Sequence, residues 1–120
     1  MDNLLPKLSV SHPWWVLAVA IAFEVAGTTA MRLSEGFSRW LPSLLIFVFY
    51  AFSFALNTLI IGRLGLSVVY AVWSGVGTVV TALIGILYFK EPATALKMAS
   101  ITLVVVGVFG LHAASRSAAA

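Results

Sequence analysis

The sequence has no cysteine and little charge: charged residues make up 9% of its 120 residues and hydrophobic residues 62%. The lack of cysteine excludes disulfides, thiolate metal sites and cysteine nucleophiles. The scarcity of charge excludes an ordinary soluble domain, in which about 25% of the residues are charged. Long apolar runs are present instead, and they indicate an integral membrane protein with no separate soluble domain.

Residue clusters typical of enzymes are also missing. We find no nucleophile–base pair, phosphate-binding loop or metal-ligand cluster, so we expect neither an enzyme nor a cofactor or metal. The formal net charge is +3, but the basic residues fall in loops and tails, which does not indicate nucleic-acid binding. The alanines at 18–22 resemble a signal-peptide cleavage site, but the apolar run continues to Met31, which favours a membrane span.

Charged and turn residues divide the chain into four apolar segments, at about residues 14–32, 41–62, 66–88 and 95–113. A helix crosses the hydrocarbon region with about 20 residues, so each segment can span a bilayer. The segments are continuously apolar rather than alternating, which predicts helices and not barrel strands. We therefore predict one all-α membrane domain over residues 1–120, with four helices running up and down. We expect a leader at 1–12 and a frayed tail at 115–120.

Positive charge is almost evenly divided between the two sides of the membrane. Three basic residues are predicted on one side and four on the other: Lys7, Arg63 and Arg116 against Arg32, Arg39, Lys90 and Lys97. Because an excess of Lys and Arg marks the cytoplasmic loops, this small difference favours insertion in both orientations. Dual topology permits an antiparallel dimer, and a single, weakly biased topology is the alternative.

Glu24 is the only charged residue between Trp14 and Met31. A carboxylate at mid-membrane costs roughly 2.5–3.5 kcal/mol on insertion scales, so its default interpretation is a proton or cation site. The residues that share its helix face are mostly small, and they could form a packing seam or leave space beside the carboxylate: Ala20, Gly27, Thr28 and Met31. Because a monomer would leave Glu24 facing lipid, we expect self-association.

Two further helices carry candidate site residues. On the second, Tyr50, Ser53 and Asn57 form a polar stripe that could contact substrate or hydrogen-bond to neighbouring helices. On the third, Tyr70 and Trp73 share a face and could stack on a cation or pack in the core. Glycines near the middle of the third helix permit a hinge: Gly75 and Gly77.

The fourth predicted helix carries no ionisable residue before His112. Small residues recur along one stripe of this helix, and such stripes allow helices to approach closely in membranes: Ser100, Gly107, Gly110 and Ala114. The pattern predicts an association surface rather than a transport surface.

Two separated motifs resemble those of the small multidrug resistance transporters. Residues 23–29 (FEVAGTT) and 34–37 (SEGF) resemble the first helix and loop of that family, and residues 70–77 (YAVWSGVG) resemble its third-helix signature. The turn at 90–92 (KEP) fits as well, and the likeness covers nearly the whole chain. The loop at 64–67 (LGLS) differs from the Pro-x-Gly of many members and resembles the polyamine-exporting, heteromeric branch.

The resemblance implies four-helix protomers that pair as an antiparallel dimer in the bacterial inner membrane and export organic cations against an inward proton flux. By position, Glu24 would bind both protons and substrate. Tyr70 and Trp73 would line the pocket, with Thr28, Tyr50, Ser53 and Ala20 beside it. The fourth helix would carry the dimer interface, including Ser100, Gly107 and Gly110.

Three functions remain open from the sequence. The first is a proton-coupled exporter of hydrophobic or quaternary ammonium cations, in which H⁺ and the cation compete for Glu24. The second is an exporter of guanidinium-like or polyamine substrates in the same family. The third is a membrane subunit without transport activity, whose Glu24 pairs with a basic residue of another protein. We expect a homodimer, with a heterodimer as the alternative.

Overall fold

The computed structural model describes residues 12–119. It contains four helices: α1 (Pro13–Leu33), α2 (Trp40–Leu64), α3 (Leu66–Leu87) and α4 (Ala95–Ala119). Residues 12–119 contain no strand, and each helix is long and apolar enough to cross a membrane. The prediction of a four-helix, multi-pass membrane protein is confirmed. The helix of α4 continues past the predicted end at 113, and the predicted leader lies outside the described residues except for His12.

The connections between the helices are short because a few residues adopt left-handed backbone conformations. Gly65 alone joins α2 to α3, with a φ of 94° that favours glycine. The loop after α1 is held by Ser34, whose hydroxyl donates to the Met31 carbonyl at 2.8 Å and accepts from the Phe37 amide at 3.3 Å. Lys90 (φ 62°) reverses the chain after α3. Tight connections of this kind keep consecutive helices antiparallel and adjacent.

The helix α1 lies at the centre, where it contacts both α2 and α3, whereas α4 contacts mainly α3. The buried core joins the three central helices, and its members are Leu17, Ile21, Val25, Ile60 and Val69. The molecule is flat, with Cα extents of 45 × 36 × 18 Å. Many large apolar side chains therefore remain exposed on α2 and α4, as expected for surfaces that meet lipid or another membrane subunit.

The contact between α3 and α4 is close at Gly75. A Cβ at this position would lie 2.5 Å from Val108 Cγ2 and 3.7 Å from Val104 Cγ1. The chain runs as one continuous helix through both Gly75 and Gly77, so Gly75 serves close packing in this conformation. The hinge at these glycines stays a prediction.

We expect Gly75→Ala to destabilise the protein by about 1–3 kcal/mol, because the added methyl overlaps a β-branched side chain that has little freedom to move. Thermal unfolding in detergent, followed by intrinsic fluorescence, measures this effect. In the double variant Gly75→Ala/Val108→Ala, the smaller side chain at 108 leaves room for the new methyl group, so much of the lost stability should be recovered. Equal destabilisation of the single and double variants would show that the Gly75–Val108 contact is not the cause.

Candidate functional site

A cavity of about 310 Å³ lies between α1, α2 and α3. Five of the residues that the resemblance assigns to proton and substrate binding meet there, although they come from three different helices: Glu24, Thr28, Tyr50, Tyr70 and Trp73. The other lining residues are all on α3 and are Ser74, Gly77, Thr78 and Thr81. None of the described residues that line this cavity is basic, so Glu24 has no protein counter-ion within it.

One oxygen of Glu24 is held by a short chain of hydroxyl groups. The Thr28 hydroxyl donates to Glu24 Oε1 at 3.1 Å and lies 2.7 Å from the Tyr50 hydroxyl. Thr28 has a single hydroxyl proton and gives it to Glu24, so Tyr50 is the donor in the second bond. The chain from Tyr50 through Thr28 to Glu24 orients the carboxyl group by contacts that reach across from α2.

The other oxygen of Glu24 has no partner. Oε2 is buried and makes no hydrogen bond. It lies beside Gly77, where a Cβ would come within 3.0 Å of it. Because a carboxylate oxygen accepts strong hydrogen bonds and binds positive charge, an unpaired buried Oε2 is the position at which a proton or a cation would be stabilised.

Aromatic rings form one wall of the cavity. The Tyr70 and Trp73 ring centroids are 6.0 Å apart with an interplanar angle of 82°. Phe54 of α2 contacts Trp73 edge-on at 5.8 Å. Ring faces attract cations, with estimates of about 0.5–2 kcal/mol per contact. A cavity lined by both a carboxylate and aromatic rings is therefore suited to an organic cation.

Three hydroxyl residues of α3 line the cavity and were not among the predicted site residues: Ser74, Thr78 and Thr81. Thr78 donates back to the Ser74 carbonyl and Thr81 to the Gly77 carbonyl, each at 2.7 Å. Their spacing of four or three residues places them on the face that carries Tyr70 and Trp73, and this spacing was the available signal.

The other two residues that the resemblance places beside the pocket, Ser53 and Ala20, do not line the cavity. Ser53 is fully buried, and its hydroxyl donates to the Ala20 carbonyl at 2.7 Å. The bond joins α2 to α1, so both residues serve helix packing in this structure. The residues predicted for the dimer interface are exposed on α4: Ser100, Gly107 and Gly110. A Cβ at either of these glycines would meet no atom within 4 Å, so this stripe is open.

A second cavity, of about 640 Å³, shares lining residues with the first: Thr28, Thr78 and Thr81. Arg32 and Lys97 line this second cavity. Lys97 Nζ lies 3.9 Å from Glu91 Oε1, and the Arg32 guanidinium lies 4.9 Å from the centre of the Phe89 ring. Positive charge near the site is thus placed in the second cavity and not beside Glu24. Within residues 12–119, no group of three or more potential ligand side chains could hold a metal ion.

Comparison with known proteins shows the family of this chain. The family model described as Small Multidrug Resistance protein matches residues 12–104. The chain belongs to the small multidrug resistance family. The family match spans α1, α2, α3 and the first part of α4, so every residue that lines the Glu24 cavity lies within it.

Several relatives in this family cover most of the chain. It is 46% identical to the membrane protein YvaE of Bacillus subtilis (strain 168), over 82% of this chain and 83% of the relative. It is 41% identical to the multidrug resistance protein EbrA of Bacillus atrophaeus, over 80% and 91%. It is 36% identical to the quaternary ammonium compound-resistance protein QacC of Staphylococcus aureus, over 83% and 94%.

Proposed function

We propose that this small multidrug resistance protein is a proton-coupled exporter of hydrophobic or quaternary ammonium cations in the bacterial inner membrane. The observation that carries the proposal is the unpaired Oε2 of Glu24, buried at a cavity whose described lining has no basic residue. The names of EbrA and QacC, which refer to multidrug and quaternary ammonium compound resistance, support this class of substrate.

The mechanism is a competition for one carboxyl group. A cation in the cavity is stabilised by the carboxylate and the aromatic wall, and its binding favours loss of the proton. A proton that binds Glu24 neutralises the carboxylate and weakens the hold on the cation. If only the occupied forms change the side of access, then each cation leaves in exchange for protons that enter, which is antiport.

An antiparallel homodimer would complete this site. The flat protomer leaves the glycine stripe of α4 open, and a second copy could pack there through its own Gly107 and Gly110. Two Glu24 carboxyls in one dimer would titrate as a coupled pair. Pairing with a related chain, as a heterodimer, is the alternative arrangement.

Proton release on cation binding tests the proposed function directly. We expect tetraphenylphosphonium, added to the purified protein in weakly buffered detergent solution, to release protons. Since protons occupy Glu24 at low pH, the apparent dissociation constant should rise as the pH falls, by up to about tenfold per pH unit for one competing proton. Calorimetry across a pH series measures the affinity, and a pH indicator measures the release.

Parallel titrations with guanidinium and with a polyamine separate the possible substrate classes. Proton release with guanidinium or the polyamine, and none with tetraphenylphosphonium, would replace the proposed substrates. Tetraphenylphosphonium uptake into liposomes that contain only this protein, driven by a pH gradient, would exclude a subunit that lacks transport activity. Binding that is equal at every pH would contradict the competition.

A further inference from the structure

Few buried polar atoms lack a hydrogen-bond partner among the described residues, and all of them belong to three side chains. They are Glu24 Oε2, Trp73 Nε1, and both amide atoms of Asn57. Unpaired buried polar groups are uncommon in native proteins because they lose their hydrogen bonds to water, so each is expected to find a partner in some state of the protein. Glu24 and Trp73 line the cavity, but Asn57 has no role in the mechanism above.

Asn57 and Trp73 lie at the same height in the α2–α3 hairpin. Gly65 alone connects these helices, and each of the two residues is eight positions from it along the chain. The helices remain in contact at this level, because Phe54, one turn from Asn57, packs against the Trp73 ring at 5.8 Å. Asn57 is 7% exposed, and it shares a helix face with Ser53, which bonds to α1. Its side chain is therefore buried on the side of α2 that faces α1.

The unpaired groups are chemically complementary. The Trp73 indole has one donor and no acceptor, whereas Glu24 Oε2 and Asn57 Oδ1 are acceptors. The single N–H group of Trp73 therefore suits either acceptor, but only one of them at a time. When a cation occupies Oε2, that oxygen is engaged by positive charge, and Asn57 Oδ1 is the remaining unpaired buried acceptor.

We propose that Asn57 is a positioning residue that accepts a hydrogen bond from the Trp73 indole when a cation occupies the Glu24 cavity. The bond holds the indole plane against the cation and stabilises the loaded state. This inference rests on the proposed function, because it presupposes cation binding at Glu24. Asn57 acts through Trp73 and needs no contact with the substrate.

The test is tetraphenylphosphonium binding by the purified full-length chain at alkaline pH, where protons compete least. Asn57→Leu removes the acceptor at similar volume and should weaken binding about three- to tenfold, which corresponds to one neutral hydrogen bond. Thermal stability should be unchanged or raised, because two unpaired polar atoms leave an apolar interior. Asn57→Gln retains an amide and should recover part of the affinity. The matched control is Thr58→Val, a polar-to-apolar change at the neighbouring, exposed position.

Hydrogen exchange of the Trp73 indole proton, assigned by its loss in Trp73→Phe, supplies the second measurement. Tetraphenylphosphonium should slow this exchange in the wild type and should not slow it in Asn57→Leu. Wild-type affinity in Asn57→Leu, or weaker binding with the indole still protected, overturns the proposal and leaves the proposed function intact. Weaker binding with lower thermal stability assigns Asn57 to helix packing instead. No binding or proton release by the wild type contradicts the proposed function itself.

Discussion

Glu24→Gln is expected to reduce pH-gradient-driven cation uptake in proteoliposomes to the level of protein-free liposomes. Glutamine has nearly the same shape, can still accept the hydrogen bond from Thr28, and fits beside Gly77. It carries no negative charge, and its amide neither takes up nor loses a net proton in this pH range. The substitution therefore removes the competition while it preserves the packing, and proton release on cation binding should disappear with the uptake.

Two further variants serve as controls for the Glu24→Gln result. Glu35→Gln makes the same chemical change in the exposed loop after α1, where we expect no loss of uptake. Glu24→Asp keeps the acid but shortens its side chain by one methylene, so coupled uptake should persist with a changed pH dependence. Coupled uptake that survives in Glu24→Gln would refute the assignment of Glu24, and an unchanged pH profile in Glu24→Asp would count against it as the titrating group.

Pairs of cavity residues that lie on the same helix could be predicted from the sequence. The spacing of four between Glu24 and Thr28, and of three between Tyr70 and Trp73, places each pair on a single face whatever the neighbouring helices do. The same geometry holds in the structure, where Thr28 donates to Glu24 and the two rings contact each other. Glu24 could also be predicted as a site residue, because a single charged side chain in a membrane span is energetically unfavourable and usually functional.

Contacts between helices were less predictable, and α2 shows why. Its outward faces meet an apolar environment, so hydrophobicity does not reveal which side faces the protein, as it does in a water-soluble helix. From the sequence, the three polar residues of α2 therefore could not be distinguished by role, and they were predicted as one polar stripe: Tyr50, Ser53 and Asn57. In the structure, Tyr50 reaches the cavity, Ser53 bonds to the α1 backbone, and Asn57 lacks a partner. The rotation of α2 against α1, which separates these roles, is set by close packing.

The helices α1 and α2 pack closely at Gly27, and filling this space is expected to have a large effect on binding. A Cβ at Gly27 would lie 2.6 Å from Tyr50 Cδ2 and 2.7 Å from Cε2. We expect Gly27→Ala to push the Tyr50 ring away and to break its hydrogen bond to Thr28. Overpacking costs about 1–3 kcal/mol. If this energy destabilises the conformation that binds the cation, tetraphenylphosphonium affinity falls by roughly five- to 150-fold.

Comparison with two variants separates loss of space from loss of the hydroxyl chain. Gly62→Ala makes the same change on α2, where a Cβ meets nothing within 4 Å; we expect wild-type affinity there. Tyr50→Phe removes only the hydroxyl and should cost about two- to tenfold. Calorimetry gives the affinity together with the fraction of protein that binds, so a folding defect is distinguishable from weaker binding. Wild-type affinity in Gly27→Ala would mean that the Tyr50 ring moves without consequence, and that Thr28 alone is sufficient to orient Glu24.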